Sequence, residues 1–127
     1  MNIGIIGSRR RNAGLDQKAV REKFFEIYND GDWIVSGGCP KGGDRFAENI
    51  AKTYGIPILI FYPNKMKYKD NPNKAIPLFE RNTDIAMHSY VIIACVSKDR
   101  EGGTEDTINK YEKLCRIANR EPEVHLV

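Results

Sequence analysis

Cysteine is scarce and scattered in this chain: Cys39, Cys95 and Cys115 stand far apart, with no C-x-x-C spacing. Neither a disulfide framework nor a zinc-ligand pattern follows from them. Cys95 and Cys115 fall on apolar faces and read as small core residues, whereas Cys39 sits in a glycine-rich turn where a thiol is reactive if a base adjoins it. Histidine is rarer still, with only His88 and His125. Two separated imidazoles assemble no metal cluster, so both are read as structural and no metal or cofactor is expected. No apolar run approaches the length of a membrane span, and Met1 leads straight into the strand-like NIGII instead of a charged-then-apolar leader. A cytoplasmic protein with no membrane partner is expected. The turn after the first apolar run lacks G-x-G-x-x-G, and no G-x-x-x-x-G-K-[ST] occurs anywhere, which argues against hydride transfer and ATP hydrolysis. Net charge is small, +3 with the two signs interleaved. That is too mild for a dedicated nucleic-acid binder and suits a pocket for a small anion.

What is present is a regular alternation of strand and helix patterns. The 127 residues, 41% hydrophobic and 29% charged, suffice for one domain, 1–127, with its own core. Strands are expected at Asn2–Ile6, Trp33–Ser36, Pro57–Tyr62, Val91–Val96 and Glu123–Val127. Between them lie helical patterns: Leu15–Tyr28, a stripe of Phe46, Ala47, Ile50, Ala51 and Tyr54 closed by Gly55, Pro77–His88, and Thr104–Asn119 with Ile108, Tyr111, Leu114, Cys115 and Ala118 inward. Residues 63–74 are polar, lysine-rich and interrupted by Pro72, and read as a long loop, either a ligand-contacting flap or a surface excursion. Strands that alternate with helices are parallel and covered on both faces. The predicted fold is therefore α/β, a three-layer Rossmann-like domain whose five-stranded parallel sheet has the order 3-2-1-4-5.

In that order three unusual loops converge at the carboxyl ends of the strands, where such sheets bind ligands. Gly7-Ser8-Arg9 follows the first strand. The second is followed by Gly37-Gly38-Cys39-Pro40-Lys41-Gly42-Gly43, ending at Asp44, and the fourth by Gly102-Gly103-Thr104 at a helix start. A helix start offers unpaired N–H groups and the positive end of the helix dipole, and glycine lets an anion approach them. Asp44 reads either as an N-cap of the second helix or as a site carboxylate. On the third helix Asn82 falls near the middle of the inner face and Arg81 at its margin. Arg81 is assigned to a polar pocket and Asn82 to a scaffold hydrogen-bond network, because an unpaired buried amide costs about 1–3 kcal/mol. The ligand-binding set is thus Gly7, Ser8, Arg9, Gly37, Gly38, Gly43, Asp44, Arg81, Gly102, Gly103 and Thr104, and the ligand an anionic small molecule, most simply a nucleotide.

These residues resemble the SLOG superfamily of Rossmann-like domains over nearly the whole chain. The stretch IVSGGCPKGGDRFAENIAKTYGIPI is similar to the SGG-x-x-G-x-D-x-x-A pattern of the YspA-related branch and, more distantly, to the DNA-processing protein A. The stretch ERNTDIAMHSYVIIACVSKDREGGTEDTI resembles that branch and the LOG-type cytokinin phosphoribohydrolases, which carry P-G-G-x-G-T-x-x-E after the fourth strand. The LOG-type enzymes cleave the N-glycosidic bond of a nucleoside 5′-monophosphate. Gly103 and Thr104 match the motif's G-T, and Arg81 matches the arginine of the E-R-K stretch that these enzymes carry before the fourth strand, but Thr107 stands where the motif has its catalytic glutamate. Glu105 and Asp44 are the carboxylates that remain as replacements, since a carboxylate is wanted against an oxocarbenium-like transition state. The catalytic candidates are then Arg81, Glu105 and Asp44. If neither carboxylate reaches the ligand, the resemblance implies a domain that binds a nucleotide or nucleotide-derived signal without chemistry. Single-stranded DNA binding, through Arg9–Arg11 and the lysines of 65–74, is the third and least favoured expectation. Self-association, as a homodimer or higher homo-oligomer, is a further expectation from related domains.

Overall fold

The computed structural model describes all of residues 1–127. Its elements run β1 (Asn2–Gly7), α1 (Gly14–Ile27), β2 (Trp33–Ser36), α2 (Gly43–Tyr54), β3 (Ile58–Ile60), α3 (Ile76–His88), β4 (Val91–Cys95), α4 (Gly103–Ile117) and β5 (Val124–Leu126). All neighbouring strands are parallel and the sheet order is β3-β2-β1-β4-β5, the Rossmann-like arrangement expected. No helix is long and apolar enough to cross a membrane.

The pattern that builds the sheet is near-continuous apolarity in its central strands. All five residues of β4, VIIAC, are buried, as are Ile3 to Ile6 in β1, because helices cover both faces. Side chains alternate between two cores. Ile3, Ile5, Ile34 and Ile93 face α1 and α2, against Val20, Phe24, Phe46 and Ile50. Val35, Ile92 and Ala94 face α3 and α4, against Ile85, Ile108 and Tyr111. Cys95 and Cys115 belong to these cores, and burial pushes the Cys95 thiol above its ordinary pKa.

Several local expectations need correction. Asp44 does not cap α2: Gly42 occupies the N-cap with φ +73°, and Asp44 is the second helical residue. Tyr54 is half exposed and packs on Phe25 with ring centroids 4.7 Å apart instead of entering the core. Ala118 is exposed beyond the end of α4. The strand pattern of 57–62 pairs only over Ile58–Ile60, where β2, itself four residues long, offers partners. The 63–74 segment is a series of turns tied to α3: Tyr68 donates to Glu80, and the Lys67 ammonium lies 3.5 Å from the same carboxylate.

Candidate functional site

A cavity of about 930 Å³ opens at the carboxyl edge of the sheet, where the chain reverses its crossover direction between β1 and β4. The strand-to-helix loops after β1, β2, β3 and β4 all contribute to its wall. Four basic side chains line it, Arg9, Arg10, Lys65 and Arg81, against two carboxylates, Asp44 and Glu101.

Gly7, Ser8 and Arg9 lie on this wall, as read from the sequence. Ser8 is held by β4, its N–H donating to the Cys95 carbonyl at 2.9 Å. The three arginines that follow part company. Arg10 forms a bidentate pair with Asp99 (2.7 and 2.8 Å), and Arg11 turns away to Asp16 and the Val96 and Val127 carbonyls. Arg9 is left exposed on the cavity with no carboxylate partner. The Arg10 guanidinium and the Ser97 hydroxyl hold the Asp99 carboxyl far below the ordinary carboxylate range. This pair ties the β1 loop to the β4 loop.

Asp44 projects from the first turn of α2 back under the β2 loop. Its Oδ2 accepts the Cys39 N–H at 3.0 Å, its Oδ1 the Ser36 hydroxyl at 3.3 Å, and the Arg81 guanidinium stands 3.9 Å away. Burial pushes its pKa above the ordinary value, and the Cys39 N–H and the Arg81 charge offset this only in part. Arg81 in turn donates to the Gly37 carbonyl at 2.5 Å and to Asn82 Oδ1 at 3.1 Å. The carbonyl and the carboxylate thus hold the guanidinium on the cavity wall. Asn82 is the scaffold residue expected: its amide donates to the Gly103 carbonyl (3.4 Å) and Asp106 (3.1 Å), fixing α3 to the start of α4.

At that start, Gly102 is the N-cap with φ +110°, no side chain caps the helix, and the N–H groups of Gly103 and Thr104 find no protein acceptor. Gly102, Gly103 and Thr104 all face the cavity. A Cβ at Gly102 would meet nothing within 4 Å, so this turn is open to a ligand. Gly43 differs: it is absent from the cavity wall, and a Cβ there would lie 2.3 Å from the Ile6 carbonyl carbon. Its lack of a side chain serves the packing of α2 on β1.

Glu105 is likewise not brought to the site. It pairs bidentately with Arg100 (2.7 and 2.8 Å) and does not line the cavity. Thr107 does line it, 2% exposed, with its hydroxyl donating to the Gly103 carbonyl at 3.1 Å. The helical position that faces the cavity is therefore uncharged. Sequence reasoning missed Glu101, Tyr62 and Phe79 among the lining residues, while Lys65 belongs to the segment read as a flap or an excursion. Tyr62 had a signal, since it lies at the carboxyl end of the third strand pattern. Cys39 is also on the wall, half-buried, while His88 packs on Phe61 and bonds the Asp84 carbonyl. Comparison with protein families, curated proteins and solved structures returns no significant match.

Proposed function

We propose that this domain binds a nucleotide or nucleotide-derived small molecule in the cavity, as a ligand-sensing or ligand-sequestering module. The observation that carries the reading is the uncapped start of α4, whose glycines and free N–H groups open on a cavity with more basic than acidic side chains. Unpaired N–H groups, the helix dipole and nearby cations are the combination that holds a phosphate. Arg9 and Lys65 supply exposed charge, Arg81 a charge held by the Gly37 carbonyl and Asn82, and Asp44 offers an acceptor to sugar hydroxyls. Binding without chemistry is supported by Thr107, which occupies the cavity-facing helical position without a carboxylate.

The test is calorimetry or native mass spectrometry with a panel of nucleoside monophosphates and cyclic or ADP-ribose-type nucleotides. Arg9→Ala removes one charge-assisted contact of about 1.5–3 kcal/mol and is expected to weaken binding roughly 10- to 100-fold. Because Arg9 is exposed, the melting temperature should not change.

A second reading, hydrolysis of a nucleoside 5′-monophosphate to base and ribose 5-phosphate, is favoured by one observation: Asp44 is a buried carboxylate on the cavity wall. In that case Asp44 stabilises the positive charge developing on the sugar, and Asp44→Asn abolishes product release.

A further inference from the structure

We infer that the ring of Tyr62 is the platform on which the planar base of the ligand stacks, so that the site selects aromatic-base nucleotides over sugar phosphates. This rests on the nucleotide reading above. Tyr62 comes just after β3, beyond Phe61, lines the cavity, and is 65% exposed. Exposure alone would be unremarked in a surface tyrosine, but this ring is held. A Cβ at Gly38 would lie 2.4 Å from its Cε1 and 2.6 Å from its Cδ1. One side of the ring therefore rests on the bare backbone of Gly38, whose φ of +74° itself favours glycine. A second exposed aromatic, Phe79, also lines the cavity, but the Lys110 ammonium sits 5.3 Å from its ring centroid. Tyr62 is the more exposed of the two rings.

Position supports the same assignment. The ring leans inward onto the loop after β2, and the uncapped helix start follows β4, with β1 between them. Two strand spacings separate these points, roughly 10 Å, a gap that one ribose bridges between a base and its phosphate. Stacking on an aromatic ring tolerates any base, because every base offers a π-face.

The experiment measures the affinities of AMP and ribose 5-phosphate by calorimetry for the wild type, Tyr62→Ala, Tyr62→Phe and Arg9→Ala. Loss of a base–aromatic stack is expected to weaken AMP binding about 5- to 100-fold in Tyr62→Ala and to leave ribose 5-phosphate binding unchanged. Tyr62→Phe should bind AMP as the wild type does, and Arg9→Ala should weaken both ligands. Equal weakening of both ligands in Tyr62→Ala, or none, would overturn the assignment. Should Tyr62→Ala fail to fold, the wild type alone decides: it must prefer AMP to ribose 5-phosphate by a similar factor, and equal affinity overturns the platform. A wild type that binds ribose 5-phosphate but shows no gain from the base overturns this inference alone. One that binds neither ligand overturns the nucleotide reading and this inference with it.

Discussion

Asp44 is a buried carboxylate on the cavity wall and is a burden on the fold. Its pKa is raised by burial, so the native state holds the proton more tightly than the unfolded chain, whose carboxyl titrates near about 3.9. Stability then falls as pH rises from about 4 through the raised native value, because the buried carboxylate costs more to ionise than the unfolded one. Asp44→Asn should accordingly raise the melting temperature at pH 7, with the gain vanishing below about pH 4, when thermal unfolding is followed across that range. Asn82 is the opposite case. Its two hydrogen bonds join α3 to α4, and Asn82→Leu should cost about 1–3 kcal/mol in denaturant unfolding. Arg81 and Asn82 were legible because helical periodicity alone places them on or beside an inward face. The direction of Glu105 was not. It depends on Arg100, whose left-handed backbone (φ 54°) accompanies a guanidinium set against that carboxylate.

The two glycine-rich turns look alike in sequence and differ as elements. At the start of α4 the glycines are open, whereas Gly43 is filled from the protein side by β1. Gly43→Ala should therefore destabilise by about 1–3 kcal/mol or more, the cost of overpacking against backbone that cannot yield, while Gly103→Ala, whose Cβ would come no closer than 3.7 Å to Asn82, should spare the fold and act on ligand affinity. Denaturant midpoints of the two variants separate these roles. A missing side chain serves equally for helix–strand contact and for an approaching anion, so composition could not distinguish them. The same ambiguity hid the cap of α2: Asp is a good N-cap by type, but the turn supplies Gly42 there and releases Asp44 to bond Cys39. The role of 63–74 was open between flap and excursion. Its contacts with Glu80 fasten it to α3, while Pro63 and Lys65 border the cavity.

At the scale of the whole molecule, strand order was legible because alternation, right-handed crossovers and the apolar core strands leave few arrangements for five parallel strands. That order alone brings the loops after β1, β2 and β4 together. What the cavity holds depends on side-chain direction and pairing, which no topology rule supplies. Of the basic stretch Arg9–Arg11, two members are engaged by Asp99 and Asp16, which leaves little of a track for single-stranded DNA. Ligand affinity should respond shallowly to salt, where a strand neutralised at several phosphates would show a slope near −0.7 per contact. The most direct measurement is native mass spectrometry of the wild type and Arg9→Ala after incubation with the nucleotide panel, with analysis of the solution for products. The account predicts an unchanged nucleotide retained by the wild type and lost from the variant. Retention of no nucleotide by the wild type, or free base and ribose 5-phosphate in solution, would contradict it.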